Sequence, residues 1–129
     1  DLVTTTGTTA TNVINATTSL LPIGVYEVMI SANISGDATN SDAIADFTFD
    51  GSPLTATTAN NEIHRKEAKE VGGDNPTGAG TNQKNNMVFI YPISVITAGT
   101  KNIILSIKSE SGGVETNMWN AYVKIIRIG

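Results

Sequence analysis

The sequence contains no cysteine and only one histidine, which removes several kinds of chemistry from consideration. Without cysteine, the chain has no disulfide framework, no thiolate nucleophile and no cysteine-ligated zinc or iron–sulfur site. A Ser–His–Asp triad would have to use His64, which lies in the charged segment 62–70, and no Gly-x-Ser-x-Gly motif accompanies it. We therefore predict that the protein is not an enzyme and that it holds no metal and no cofactor.

Clusters of basic residues and long apolar segments are also missing. Eight Lys and Arg stand against twelve Asp and Glu, for a formal net charge of −4, and the basic residues form no patch. This balance argues against a nucleic-acid partner. The longest apolar stretch, residues 20–30, is interrupted by Pro22, Gly24 and Glu27 and is too short to cross a bilayer. We expect neither nucleic acid nor a membrane among the partners.

Threonine, asparagine and serine are abundant instead, and together they make up 40 of the 129 residues. Threonine is stiff at χ1 and favours strands, whereas asparagine competes with its own backbone for hydrogen bonds and favours turns. The composition therefore predicts an all-β chain with polar loops, and its length fits one domain.

Apolar and polar residues alternate in several segments, as they do in half-buried strands. From residue 24, Tyr26, Val28 and Ile30 share one face, and a second alternating segment ends at the turn sequence 50–53. Further strands are predicted from residue 87, from residue 101 and from about residue 114. About seven or eight strands with glycine-rich turns indicate an antiparallel β-sandwich of the jelly-roll type.

Two of these predicted strands are apolar on both faces. In the last strand, Trp119, Ala121 and Val123 lie on one face, while Met118 and Tyr122 lie on the other. When only one side of a sheet packs against other parts of the protein, its other face is polar. Because both faces of these strands are apolar, the second face must be packed against something as well. We favour contact with another subunit over a monomer wrapped by its own chain. The candidate interface residues are Met118, Tyr122, Ile126, Ile128, Val88 and Ile90.

Residues 1–19 are rich in threonine and have few large apolar side chains, so this segment can bury little surface by itself. We predict an extended arm, residues 1–19, followed by a jelly-roll domain, residues 20–129. The arm then needs a surface to lie on, either a capsid or a neighbouring subunit. Its candidate contact residues are Leu2, Val3, Val13 and Ile14.

Two polar loops are candidates for ligand binding. Residues 35–42 are dense in turn formers, and residues 71–86 form a long segment that is rich in glycine and asparagine and has no periodicity. A loop of this length is uncommon in a compact domain and is often functional. The candidate ligand-binding residues are Asp37, Asn40, Asp74, Asn75 and Asn82.

Several short motifs occur in an order that resembles one group of known proteins. These motifs are Gly24-Val25-Tyr26, Thr39-Asn40-Ser41-Asp42, Asp50-Gly51, residues 64–70, Gly80-Thr81-Asn82-Gln83, Ala98-Gly99-Thr100-Lys101 and residues 123–128. In this order they resemble the jelly-roll domains of bacteriophage virion proteins, which are distantly like the C1q and tumour-necrosis-factor group. The resemblance covers about residues 20–129.

The resemblance implies a non-enzymatic, trimeric module of a phage particle, in which the final strands lie near the threefold axis. Members of the group sit at fibre ends or decorate capsids. This chain has no collagen-like repeat and no coiled-coil shaft, which favours a capsid decoration (cement) protein on the outside of the virion. Its partners are then further copies of itself and the major capsid protein or other virion proteins.

Two alternatives stay open. The first is the receptor- or glycan-binding head of a tail or head fibre, whose polar loops contact a host surface glycan or receptor. The second is a subunit of an extracellular filament that donates its N-terminal arm as a strand to the next subunit.

Overall fold

The computed structural model describes residues 1–36, 42–53, 63–66 and 85–129. Within these ranges there are nine strands, and there is no helix long and apolar enough to cross a membrane. The strands are β1 (Val3–Thr5), β2 (Thr11–Thr17), β3 (Gly24–Gly36), β4 (Asp42–Phe49), β5 (Ser52–Pro53), β6 (Ile63–Lys66), β7 (Asn85–Val95), β8 (Asn102–Ser109) and β9 (Thr116–Arg127). Seven of these strands have four or more residues, in agreement with the seven or eight predicted.

The strands form two sheets whose inner faces pack on each other as a sandwich. The first sheet has the strand order β1-β9-β3-β7, and the second has the order β2-β8-β4-β5, with β6 also paired to β4. All the described strand pairs are antiparallel. The predicted fold class, an all-β antiparallel sandwich, is confirmed.

The core lies between β3, β7 and β9 of the first sheet and β4 and β8 of the second. The alternation in β3 buries Tyr26, Val28 and Ile30, as the sequence predicts. Phe47 and Leu105 are opposite each other on β4 and β8 and are also fully buried. Each buried aliphatic side chain stabilises the fold by about 1.5–3 kcal/mol, because its apolar surface is removed from water.

The N-terminal segment is part of the sandwich. β1 extends the first sheet by pairing with β9, and β2 extends the second sheet by pairing with β8. Val3, Val13 and Ile14 are partly buried against the core of their own chain, whereas Leu2 is 40% exposed. This corrects the expectation that Val3, Val13 and Ile14 need a capsid or a neighbour to lie on. Backbone groups along the edges of β8 and β9 provide hydrogen-bond partners, and such pairing does not require a strongly apolar sequence.

A β-bulge at Asn120 changes the faces of β9. Asn120 has a positive φ of 52°, and the register with β3 shifts between Trp119 and Tyr122. The extra residue reverses the alternation along the strand, so Trp119 shares the outer face with Tyr122. Met118 points into the core and is fully buried there. The structure thereby corrects the prediction that Met118 lies in a subunit interface.

A tight turn is predicted over residues 50–53, and the structure has a two-residue hairpin between β4 and β5. Phe49 and Ser52 are paired, and the two residues between them have positive φ angles, 49° at Asp50 and 79° at Gly51. Two successive residues of this kind match the right-handed twist of the flanking strands. The hairpin brings Asp50 to the end of the sandwich where β8 begins, and its backbone N–H donates to the carbonyl of Asn102.

Candidate functional site

The outer face of the first sheet carries a contiguous apolar surface, which we call the apolar face. Its members are large apolar side chains that β3, β7 and β9 direct away from the core, namely Val25, Met29, Val88, Ile90, Tyr122 and Ile126. Val88 and Ile90 are each 55% exposed, and Tyr122 is 50% exposed. Single exposed apolar residues are ordinary on a protein surface, but a group of them on one face is a candidate interaction surface.

The strand register divides the apolar face into two sides. Ser31 of β3 lies between Val88 of β7 and Tyr122 of β9, and further along β3, Glu27 lies opposite Ile126 of β9. Neighbouring strands are roughly 4.8 Å apart, so β7 and β9 are separated by roughly 10 Å. Glu27 and Ser31 of the middle strand therefore lie between a β7 side and a β9 side, and the apolar Met29 of the same strand lies between these two residues.

Five of the six predicted interface residues are exposed in the structure. Val88, Ile90, Tyr122 and Ile126 lie together on the apolar face, and Ile128, just beyond β9, is 58% exposed. The sixth lies in the core because of the bulge described above. The structure therefore brings four of the predicted residues onto one surface, and their contact with another subunit stays a prediction.

Sequence reasoning missed Val25 and Met29, which complete the apolar face. Both lie on the side of β3 that also carries Glu27 and Ser31, and this side looks polar when β3 is considered alone. The signal that identifies Met29 is its cross-strand position, since it lies opposite Ile90 of β7. Such a signal depends on knowing which strands are neighbours.

The remaining candidates from the sequence are the predicted ligand-binding residues and His64. The predicted ligand-binding residues lie outside the described residues; they are Asp37, Asn40, Asp74, Asn75 and Asn82. The strand that contains His64, β6, pairs with β4. In the part of the chain that the structure describes, no group of three or more His, Cys, Asp or Glu side chains is placed to hold a metal ion.

A cleft of about 560 Å³ opens between the end of β7 and the β4–β5 hairpin, and we call it the edge cleft. Residues between β7 and β8 complete its wall, including Ile96 and Lys101. The Lys101 Nζ lies 3.3 Å from the Asp50 Oδ2 within it. Sequence reasoning did not identify this cleft, because the two residues of its ion pair are 51 positions apart in the chain.

Tyr91 and Phe89 stack on the inner face of β7, with ring centroids 6.3 Å apart and ring planes 9° apart. Burial removes water from around the phenol and raises the pKa of Tyr91 above its usual value of 10.0. This ring therefore stays uncharged at neutral pH and serves packing.

No protein-family model matches this chain, and no curated protein matches it. Two solved structures are similar in fold. One is the insecticidal delta-endotoxin Cry8Ea1 from Bacillus thuringiensis, with a TM-score of 0.56 and 14% identity; the match covers 100% of this chain and 20% of the endotoxin. The other is the C-terminal domain of EclA, a sugar-binding protein, with a TM-score of 0.57 and 13% identity; the match covers 96% of this chain and 77% of that one.

These comparisons support the β-sandwich, because similarity at 13–14% identity is evidence of fold alone. This chain spans 20% of the length of the endotoxin, so the activity of that whole protein does not transfer. Membership in the phage jelly-roll group stays a prediction from the sequence motifs.

Proposed function

We propose that this protein is a non-enzymatic virion structural protein, a homotrimeric capsid decoration (cement) protein on the outside of a phage particle. The observation that carries the proposal is the apolar face, because an exposed apolar surface of this kind is covered in a stable assembly. The order of the sequence motifs in residues 20–129 supports the virion setting. The major capsid protein, or another virion protein, is then the second partner.

The apolar face provides a driving force for association. Four of its side chains are 41–55% exposed, namely Val88, Ile90, Tyr122 and Ile126. A second copy packed on them therefore removes about half of the surface of each side chain from water. At about 1.5–3 kcal/mol for a whole side chain, an interface that covers these four contributes about 3–6 kcal/mol. A closed ring of three copies has three interfaces but needs two association steps, and the third interface strengthens the assembly.

The two sides of the apolar face suit a head-to-tail contact, in which the β9 side of one copy packs against the β7 side of the next. Such a contact is heterologous and closes into a ring when the rotation is one third of a turn. Lys124 lies on the β9 side, opposite Met29, and Glu27 lies on β3 beside β7. We expect an orientation that brings the lysine of one copy near the glutamate of the next to be favoured over one that brings like charges together.

A mixing experiment tests the head-to-tail contact. Ile90→Lys disables the β7 side and Tyr122→Lys disables the β9 side, so each variant alone is expected to sediment as a monomer. Mixed in equal amounts, the intact β9 side of the first variant binds the intact β7 side of the second, and a heterodimer is expected. A mixture that stays monomeric would contradict this geometry.

Electron cryomicroscopy of phage particles that carry the protein tests the virion role. We expect threefold density on the outer surface of the head. Density confined to a fibre tip would select the first alternative, a receptor- or glycan-binding head. Helical filaments without heads would select the second, a filament subunit. Either outcome would contradict the cement role.

The glycan-binding alternative draws support from one comparison, because the EclA domain of similar fold belongs to a sugar-binding protein. The filament alternative requires β1 or β2 to leave its place beside β9 or β8 and pair with a neighbouring copy instead. A strand that is already paired within its own chain must break those hydrogen bonds first, so we rank this alternative third.

A further inference from the structure

We propose that the edge cleft is a binding site for an uncharged sugar residue. The cleft lies within one copy of the chain, so this inference does not rest on the trimer or on the virion role. The residues that line the cleft are different from the candidate ligand-binding residues of the two polar loops. The ligand class follows from the size of the cleft, the position of its charges and the composition of its walls.

The cleft has the size and position of a small-molecule site. Its volume of about 560 Å³ falls inside the range of roughly 300–1,000 Å³ that is usual for such sites. It lies where an edge of the first sheet, β7, comes near an edge of the second, β5. Most of its wall is therefore formed by regular strands or by the tight hairpin, and Ile96, Thr97 and Lys101 come from the segment between β7 and β8.

The polar end of the cleft is held in place by backbone hydrogen bonds. The Asp50 N–H donates to the Asn102 carbonyl at 2.7 Å, in the hairpin whose φ angles are set by Asp50-Gly51. The Lys101 N–H donates to Thr18 Oγ1 at 2.9 Å, and the Lys101 carbonyl accepts from the Thr18 N–H at 2.9 Å. A ligand therefore meets these two residues without a cost for ordering their backbone.

The Asp50–Lys101 pair favours hydroxyl groups over charged groups. The Nζ to Oδ2 distance of 3.3 Å is longer than the roughly 2.7–2.9 Å of a tight charge-assisted hydrogen bond. An ammonium group has three donors and a carboxylate has several lone pairs, so both groups can serve a ligand as well as each other. A hydroxyl both donates and accepts and suits this pair, whereas a charged ligand group would be repelled by one of its members.

The rest of the wall is apolar with a few hydroxyls. Of the apolar residues in its wall, Ile96 is 83% exposed, Phe49 is 8% exposed and Ile93 is partly buried. Ser52 and Thr97 also line the cleft. A pyranose ring has a C–H face and a rim of hydroxyls, and it matches an apolar wall beside fixed donors and acceptors.

Titration with simple glycosides tests the proposal. The full chain is mixed with methyl glycosides of galactose, glucose, mannose, fucose, N-acetylglucosamine and N-acetylgalactosamine, with sialic acid as a charged comparison, and saturation-transfer NMR measures binding. We expect saturable binding of at least one uncharged glycoside. Asp50→Asn, which suits the same turn, should weaken it about tenfold, and Ile96→Ser severalfold. The controls Glu110→Gln and Leu2→Ser, at the other end of the sandwich, should retain the affinity of the parent chain.

Three results would overturn the proposal. The first is no saturable binding of any uncharged glycoside. The second is binding that survives both Asp50→Asn and Ile96→Ser, because the site then lies elsewhere. The third is binding of sialic acid alone. The sedimentation mass of each variant is measured in parallel, so that failure of the sugar site and failure of the trimer are separate results.

Discussion

Trp119 and Tyr122 lie on the same face of β9, although they are three positions apart. In a regular strand, residues three positions apart point to opposite faces. The bulge at Asn120, with its φ of 52°, inserts the residue that brings both onto the outer face. The same insertion places Met118 in the core. The apolar face therefore depends on one unusual backbone conformation in the middle of the strand.

Substitution of Asn120 tests this dependence. A β-branched residue is strained at positive φ, so Asn120→Val should lower the free energy of unfolding by about 1–2 kcal/mol. Asn120→Gly fits this conformation, so it should lower the free energy of unfolding by no more than a few tenths of the loss expected for Asn120→Val. Urea unfolding followed by the fluorescence of Trp119, the single tryptophan, measures both. The control is Asn12→Val in β2, where φ is negative. If this variant lost as much unfolding free energy as Asn120→Val, the loss at Asn120 would not be due to its positive φ.

Met118 and Tyr122 should respond differently to substitution. Met118→Ala leaves a cavity in the core and should lower the free energy of unfolding by about 2–5 kcal/mol. Tyr122→Ala removes a side chain that is 50% exposed, so it should weaken association while it leaves the unfolding free energy of the monomer within about 1 kcal/mol. Urea unfolding and sedimentation of both variants check this. If Tyr122→Ala were the more destabilising of the two, the assignment of the faces would be wrong.

The raised pKa of Tyr91 predicts a pH dependence of stability. Because the folded state holds this proton more tightly than the unfolded chain does, the contribution is complete below pH 10.0. It is lost as the pH rises through the higher pKa of the folded state. Tyr91→Phe cannot ionise, so its stability should fall less than that of the parent chain above about pH 10. Urea unfolding of both chains below and above this pH measures how much stability each one loses. Equal losses in the parent chain and in Tyr91→Phe would contradict the raised pKa of Tyr91.

Deletion of residues 1–19 should destabilise the sandwich. It removes β1 and β2 and uncovers the core beside Val3, Val13 and Ile14, at a cost of about 3 kcal/mol or more. Deletion of residues 1–10 removes β1 but leaves β2, and it should cost less. Thermal or urea unfolding of the two truncated chains shows which of them is less stable. An unfolding midpoint unchanged by the longer deletion would show that this segment is a dispensable arm.

The features that could be predicted from the sequence are the ones that local patterns control. The alternation around Val28 and around Leu105 predicts strands because side chains of a strand point to alternate faces. The sequence 50–53 predicts a tight turn because aspartate, glycine, serine and proline are turn formers. Each of these signals is contained in a few neighbouring residues.

The features that could not be predicted depend on contacts between distant parts of the chain. Val3 pairs with Met118, and a threonine-rich segment gives no sign of that partner. The bulge at Asn120 could not be predicted because asparagine tolerates positive φ but is common in this sequence, and no local pattern distinguishes this position. The edge cleft exists because Asp50 and Lys101 meet where the edges of two sheets approach each other.

We propose that copies of this chain associate through the apolar face. Sedimentation equilibrium of the parent chain, Ile90→Lys and Ile96→Lys tests it most directly, because Ile96 is more exposed than Ile90 but is not part of the apolar face. We predict three times the 13.5 kDa of one chain for the parent and for Ile96→Lys, and the mass of one chain for Ile90→Lys. A monomeric parent chain, or an Ile90→Lys variant that is still trimeric, would show that the apolar face does not hold the copies together.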